Sequence, residues 1–268
     1  MFIDHPMCEA CTASLAFLAW IIFFKTLHTT SIGAAFRFKN SRPTSFTTSF
    51  TKDIGIYVSF PVYLASIYIY HTYHHTKALH LTRLPQDHLY EHLGLTRLSI
   101  EVCTGILMYD IIFWCVHVVL HRSPTIFALV HQQHHTHKRL TPGSTVSHTL
   151  VDGAVQVMVN IMVQQYSPYG YKHSLSRLVH NVVVTYMLVE IHSELDAPWS
   201  LHNLFGGRVF GGALRHRYHH AYTLPHFKGT KAVHYHQFFR LLDDLAGYAV
   251  SDEECRAVKF EEYREKRT

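Results

Sequence analysis

The feature that most constrains this chain is an apolar run, residues 100–119, which closes on two histidines four residues apart, His117 and His121. About 20 predominantly apolar residues are needed for a helix to cross the hydrocarbon core of a bilayer. Further apolar runs cover residues 13–24, 54–70, 151–163 and 178–191. The first and last are short enough to tilt, dip into the bilayer or pair as a hairpin rather than span it.

The composition supports a membrane protein over the alternative, a soluble protein with buried apolar helices. Hydrophobic residues make up 48% of the 268 residues and charged residues only 16%, a balance that favours membrane helices. The two longest runs also lack the polar face of an ordinary surface helix. We therefore predict an all-α fold, an integral membrane helical bundle that carries a cytosolic, histidine-rich helical cap.

The lysines and arginines predict which face is cytosolic. If the five runs alternate in direction, one face receives few basic residues, among them Lys172 and Arg177 in the loop before the last run. The other face receives Lys25, Arg37, Lys39, Arg42, Lys52, the region after His121 and the C-terminal segment. The positive-inside rule makes this second face cytosolic. On it also fall His117 and His121, and the histidine motifs that follow them.

Histidine clusters indicate a metal centre. After the first pair come two HxxHH motifs, at His131, His134 and His135, and at His216, His219 and His220. Imidazole suits zinc, copper, iron and nickel, and helical spacing predicts that each motif turns its rings to one side. Eight histidines exceed the three or four ligands of a single zinc. Two metals, with His148 and His192 in reserve, account for them better.

A fourth motif of the same form is assigned elsewhere by the topology. His71, His74 and His75 also spell HxxHH, but they follow the second apolar run and fall on the opposite face of the membrane. We expect them to belong to a polar luminal segment, together with His80, His88 and His92.

Several carboxylates could orient the metal-binding rings. A histidine that binds metal usually donates its other N–H to a carboxylate or carbonyl. Asp110 lies seven residues before His117, on the same helical face, and Glu190, Glu194 and Asp196 flank His192. An ordinary polar residue at a helix end is the alternative for each. Asp110 and Asp152, within or beside apolar runs, need a partner because an unpaired carboxylate is costly there.

The order HxxxH, HxxHH, HxxHH among membrane helices resembles the fatty acid hydroxylase superfamily of membrane di-iron oxygenases, which includes sterol desaturases and 4-methylsterol oxidases. The resemblance covers roughly residues 109–247, and His192-Ser193 with Asp196, Pro198 and Trp199 is similar to the 4-methylsterol oxidases. It implies the following iron ligands: His117, His121, His131, His134, His135, His216, His219 and His220, with His192 as a further ligand. His148 matches a histidine that follows the second motif in these enzymes, although the proline after it is missing here.

Two departures from the family pattern lie near the expected substrate region. Glu194 stands where relatives tend to have glycine, and the segment 223–236 is longer than usual. For the substrate cavity we name Gln156, Asn160, Gln164 and Trp199, with interhelical hydrogen bonding as the alternative for the three polar residues on the fourth run.

The resemblance implies a non-haem di-iron enzyme that hydroxylates or oxidises a lipid C–H position, in a sterol or related terpenoid. It would use dioxygen and electrons from an external NAD(P)H-dependent chain, delivered by a b-type cytochrome or reductase, in the endoplasmic reticulum of a eukaryote. We expect no nucleic-acid partner. The domains are predicted as membrane helices and loops at 1–98, a catalytic domain at 99–250 and a charged tail at 251–268.

Three alternatives remain open. A fatty acyl hydroxylase or desaturase would share the motifs. A membrane zinc hydrolase acting on a lipid amide or ester would use zinc-bound water as the nucleophile, but it needs only three histidines. A bis-histidine haem protein would place paired histidines within helices at matched depth, whereas here they fall at helix ends and beyond.

Overall fold

A computed structural model describes residues 8–39, 41, 65, 68, 93–136, 140–170, 172–222 and 233–258. Nearly all of the second apolar run and the HxxHH motif at His71 lie outside the described residues, as do His80, His88 and His92. So do residues 223–232 of the long segment and residues 259–268 of the charged tail.

The described chain is helical, as predicted. Its helices are α1 (Cys8–Thr29), α2 (Ser31–Phe36), α3 (Leu95–Arg122), α4 (Leu150–Gln164), α5 (Ser174–Glu190), α6 (Gly212–Tyr222), α7 (Leu241–Ala246) and α8 (Asp252–Arg256). Shorter turns are the α turn Pro124–Ile126, the π turn Phe127–His131, and the 3₁₀ turns His134–Thr136, Pro142–Val146 and Leu201–Gly207. Within these residues β-pairing is limited to three isolated bridges.

Among the residues that the structure describes, two helices are long and apolar enough to cross a membrane, α1 with 22 residues and α3 with 28. At about 1.5 Å per residue α3 is about 42 Å long, which exceeds the hydrocarbon core of about 30 Å. One end of α3 can therefore project beyond the core. The fourth and fifth runs form α4 and α5, of 15 and 17 residues, shorter than the roughly 20 that a span requires.

The core forms where α4 and α5 both contact α3. Tyr109 and Phe113 of α3 pack with Val163 of α4 and Val184 of α5, and all four side chains are buried. Helix α1 lies against the other side of α5. These contacts fix α3 and α5 relative to each other, and both helices end at the same end of the bundle.

The opposite end of the bundle is closed by polar contacts. Glu101, near the start of α3, accepts a hydrogen bond from the backbone N–H of His173 at 3.0 Å. Arg177, near the start of α5, forms an ion pair with Glu9 of α1 at 2.7 Å. The ends of α3 and α5 that carry histidines lie away from these polar contacts. The three predicted motifs meet at that end of the bundle.

Candidate metal centre

The last two turns of α3 carry the first histidine pair. Because His117 and His121 are four residues apart on a helix, their rings lie about one turn apart on the same face, with centroids 4.7 Å apart. Their Nε2 atoms are separated by 3.1 Å. His117 is buried, so the pair turns inward from the helix end rather than toward solvent.

The second motif does not form the α-helix that its spacing predicts. It lies in a π turn, which is wider than an α-helix, and in a 3₁₀ turn, which is tighter. His131 closes the π turn Phe127–His131, and His134 and His135 open the 3₁₀ turn His134–Thr136. All three rings are buried, but they diverge. His131 and His135 face His121, at centroid distances of 4.8 and 4.9 Å, whereas His134 faces His220 at 4.7 Å.

The third motif lies on α6 and is also divided. Neighbouring residues on an α-helix are about 100° apart around the axis, so His219 and His220 cannot point to the same place. His216 and His220, four apart, bring their Nε2 atoms to 3.0 Å, while His219 turns toward His117, with ring centroids 4.7 Å apart. The prediction that each HxxHH motif presents its three rings together is corrected: each motif contributes to two groups.

His192 joins the site just after α5. Its Nε2 atom lies 3.0 Å from Nε2 of His216 and 3.4 Å from Nε2 of His134. The nine rings therefore form two groups, and within each group the ligand atoms all lie within 4.8 Å of one another. The first contains His117, His121, His131, His135 and His219, and the second contains His134, His192, His216 and His220.

Hydrogen bonds at Nδ1 leave the Nε2 lone pairs of these rings available to bind a metal ion. Nδ1 of His117 lies 2.7 Å from the carbonyl oxygen of Tyr235, and Nδ1 of His131 lies 2.8 Å from the carboxylate of Asp152. Each Nδ1 must donate, so each neutral ring keeps a lone pair on Nε2. Those two Nε2 atoms are 3.1 Å apart, with no proton to share. Two nitrogens bound to one ion at about 2.1 Å and a near-right angle have about this separation.

The second group repeats this arrangement. Nδ1 of His192 lies 2.8 Å from the carbonyl oxygen of Leu188, and Nδ1 of His134 lies 3.4 Å from that of Ser147. Their Nε2 lone pairs then face each other at 3.4 Å. The donor sets of both groups therefore fit metal ions that prefer imidazole nitrogen.

Burial keeps the rings in the protonation state that a metal ligand requires. It lowers the pKa of His135, His216, His219 and His220 well below the usual 6.5, and neighbouring imidazoles lower it further. Metal binding requires neutral imidazole. These four side chains are therefore available as ligands at neutral pH without first losing a proton.

The carboxylates named from the sequence have different neighbours. Asp152, whose place beside an apolar run predicts a partner, accepts a hydrogen bond from the ring of His131 at 2.8 Å. Asp110 accepts backbone N–H groups, including that of Phe238 at 2.7 Å. Glu190 accepts the N–H of Leu201 at 3.3 Å.

Asp196, another carboxylate that the sequence predicts beside a metal-binding ring, bonds to side chains outside both groups. It accepts hydrogen bonds from His202 and Asn203, both at 2.9 Å. His148 also lies outside both histidine groups, with its Nδ1 atom 3.1 Å from the carbonyl oxygen of Thr149.

The polar residues of α4 are engaged in hydrogen bonds between elements. Asn160 and Gln164 each donate to Oδ1 of Asn181 on α5, at 3.0 Å, and Gln156 donates to Asp152 at 3.4 Å. Trp199 is 42% exposed and its ring meets that of Phe36 edge-on. The three amides thus have the interhelical or intrahelical partners that the alternative interpretation describes.

A third cluster, His234, His236 and Asp243, also brings ligand atoms within 4.8 Å. The carboxylate of Asp243 already accepts hydrogen bonds from the Trp114 indole at 2.7 Å, from the backbone N–H of His236 at 3.0 Å and from the His236 ring. These donors account for the buried charge without an ion.

Glu194, one departure from the family pattern, has an unusual backbone conformation and a buried partner. Its φ is +59°, in the left-handed region that glycine adopts at little cost. Glutamate at this position is accompanied by a buried ion pair, with Arg217 Nε 3.1 Å from its carboxylate. Arg217 lies between the metal-facing histidines of α6, so this ion pair joins α6 to the turn that follows His192.

Two backbone carbonyls of the site could not be predicted from the sequence. The carbonyl oxygens of Tyr235 and Val233 accept from the rings of His117 and His219, at 2.7 and 2.8 Å. Backbone carbonyls carry no residue preference, so only the fold locates them.

Comparison with known proteins agrees with the geometry. The sequence profile described as fatty acid hydroxylase matches residues 102–248, more than half of the chain. No solved structure matches the chain.

Three curated relatives act on sterols by name. The cholesterol 25-hydroxylase-like protein of Danio rerio is 26% identical over 171 residues, which cover 62% of this chain and 64% of that protein. For the cholesterol 25-hydroxylase of Homo sapiens the identity is 26%, over 62% of this chain and 59% of the relative. The Delta(7)-sterol 5(6)-desaturase of Candida glabrata is 28% identical, over 62% and 40%.

The chain thus spans less than two thirds of the length of each of these relatives. The residues that match the profile nevertheless include all nine grouped histidines. The match confirms the resemblance stated from the sequence. This chain belongs to the fatty acid hydroxylase family.

Proposed function

We propose that this protein is a membrane-bound non-haem di-iron oxygenase that hydroxylates or oxidises a C–H position of a sterol or related terpenoid. The observation that carries the proposal is the pair of buried histidine groups, one of five rings and one of four. The sterol class is supported by the names of the curated relatives, which include cholesterol hydroxylases and a sterol desaturase.

The size of the histidine set favours two irons over one hydrolytic zinc. A catalytic zinc is usually held by three protein ligands, which would leave six of the nine grouped rings unexplained. In the proposed enzyme, ligands to one iron come from His117, His121, His131, His135 and His219. Those to the other come from His134, His192, His216 and His220.

When bound, the irons would supply the dioxygen-dependent oxidation, which side chains alone cannot perform. The protein holds the ligand rings in one tautomer and keeps water away. The Nδ1–H groups of His117, His192 and His131 donate hydrogen bonds to the carbonyl oxygens of Tyr235 and Leu188 and to the carboxylate of Asp152, respectively. The Nε2 atoms therefore stay directed inward. Nearly all of these rings are buried.

The reaction also needs dioxygen and electrons. We propose that an external NAD(P)H-dependent chain supplies the electrons through a b-type cytochrome or reductase. The sequence itself has neither a nucleotide-binding glycine motif nor the HPGG signature of a fused cytochrome.

We place the site on the cytosolic face, in the endoplasmic reticulum of a eukaryotic cell. The distribution of basic residues supports this orientation. A glycosylation acceptor inserted beside His74 tests it: modification by the luminal machinery is expected, and an unmodified acceptor that protease reaches from the cytosolic side would reverse the orientation.

The activity can be tested in microsomes from cells that express the chain. Sterols and fatty acyl substrates are offered in parallel under ¹⁸O₂. The proposal expects a sterol product, with labelled oxygen if the reaction is a hydroxylation and a new double bond without label if it is a desaturation. Oxidation of fatty acyl chains alone would favour the alternative, a fatty acyl hydroxylase or desaturase, which the family description supports. Oxygen-independent hydrolysis of a lipid would overturn both.

A further inference from the structure

Residues 233–239, here called the strap, connect the candidate metal centre to carboxylates at two places. The strap runs antiparallel to α3, because Phe238 bonds to Asp110 whereas Tyr235 bonds to His117, seven residues later on the helix. The strap is therefore attached to α3 at two levels that are seven residues apart on the helix.

Asp110 holds the first attachment. Its Oδ1 accepts the backbone N–H groups of Gln237 at 3.0 Å and Phe238 at 2.7 Å, and its Oδ2 accepts that of Phe239 at 3.2 Å. The side chain is 1% exposed. Hydrogen bonds to a charged acceptor are stronger than neutral ones, so three of them fix the backbone at this point.

Asp243 holds the second attachment. Its Oδ2 accepts the N–H of His236 at 3.0 Å, and its Oδ1 accepts the indole N–H of Trp114 at 2.7 Å. Trp114 lies one turn after Asp110 on α3, so the same helix holds the strap twice, once directly and once through Asp243.

Two carbonyls of the strap contact rings of the five-histidine group. The oxygen of Tyr235 accepts from His117 and that of Val233 accepts from His219, and both rings belong to the five-histidine group. In the four-histidine group, the Nδ1 atoms of His192 and His134 face carbonyls outside the strap, those of Leu188 and Ser147.

We infer that Asp110 and Asp243 are positioning residues for the five-histidine metal site. They act through the strap, whose carbonyls set the tautomer and direction of His117 and His219. The inference rests on the proposed metal centre. Residues that orient metal ligands typically change metal affinity by about 10- to 100-fold when they are altered.

The test uses the full-length protein loaded with ⁵⁷Fe. Asp110→Asn keeps the shape of the side chain but replaces an acceptor oxygen with an N–H₂ group. We expect iron release to a chelator to become biphasic, with one iron leaving about 10- to 100-fold faster and the other at the wild-type rate. One Mössbauer component should change and the other should not.

Asp243→Asn and Trp114→Phe test the second attachment. Trp114→Phe removes the indole donor but retains an aromatic ring. These two variants decide the question if Asp110→Asn does not fold. Asp244→Asn is the matched control. It is the next residue on α7, and its ion pair with Arg240 is partly exposed, so this variant should release both irons at the wild-type rate.

The inference is overturned if the variants retain both irons as the wild type does, or if both irons leave equally faster, because equal loss means general loosening. A wild-type protein that holds fewer than two metals would refute the proposed function instead, so the two failures are distinguishable.

Discussion

The Nδ1 atom of His131 lies 2.8 Å from the carboxylate of Asp152, and both side chains are at least 98% buried. The two residues come from different elements, the π turn Phe127–His131 and the first turn of α4. Here a carboxylate directly contacts a ring of the five-histidine group. A carboxylate partner raises the basicity of a ligating imidazole, so Asp152 strengthens His131 as a ligand.

Asp152→Asn should therefore weaken metal binding by about 10- to 100-fold, because the amide oxygen can still accept the His131 proton but carries no charge. The measurement is iron content after dialysis against a graded chelator series. Asp196→Asn is the control, since Asp196 also bonds to a histidine, His202, outside both groups. Equal iron retention by the two variants would refute a role of the Asp152 charge.

Asn181→Ala should destabilise the fold without affecting substrate binding. Its side chain accepts hydrogen bonds from Asn160 and Gln164 of α4, and each buried donor left without an acceptor costs about 1–3 kcal/mol. We expect a lower thermal midpoint in detergent and an unchanged KM for the sterol. A raised KM with an unchanged midpoint would instead assign these amides to the substrate cavity.

The helical fold and the meeting of the histidine motifs at one end could be predicted from the sequence, because apolar runs and helical spacing depend on local pattern. The division of each HxxHH motif between two groups could not. It depends on the π and 3₁₀ turns around His131 and His134, and on α6, where the 100° step separates His219 from His220.

The indirect roles were also beyond the sequence. Asp110 was expected to contact a metal-binding ring because it shares a helical face with His117, and it bonds instead to backbone N–H groups of residues about 127 positions away. Partners this distant are set by tertiary packing. Likewise, glutamate at position 194 indicated a departure from the family, but its left-handed backbone and its partner Arg217 emerge only from the fold.

Glu194→Gly should destabilise the protein although it introduces the glycine that the family resemblance implies at this position. Glycine relieves a left-handed backbone by about 1–2 kcal/mol, whereas breaking a buried ion pair by removing one partner costs about 3–5 kcal/mol. We expect a net loss of about 1–4 kcal/mol in the free energy of unfolding, measured by denaturant titration. A more stable Glu194→Gly variant would show that backbone strain outweighs the contact with Arg217.

The metal-free protein should lose stability on acidification. Burial lowers the pKa of His135, His216, His219 and His220 in the folded state, so below about pH 6.5 the unfolded chain takes up protons that the folded chain does not. The stability present above pH 6.5 is lost as the pH falls toward the folded pKa values. Each group contributes a slope of up to about 1.4 kcal/mol per pH unit.

The check is the thermal midpoint of chelator-treated protein between pH 8 and pH 5. It should fall as the pH is lowered from 6.5 to 5. A midpoint that stays level or rises across that lower range would mean that the four rings are accessible to protons in the folded state.

The central claim, that nine histidines hold two irons, is tested most directly by counting metals in purified protein. The wild type should contain about two irons per chain. His219→Ala and His220→Ala are neighbours on α6 that serve different groups, so each folded variant should lose iron mainly from its own site. One zinc per chain, or two irons retained in full by both variants, would contradict the account.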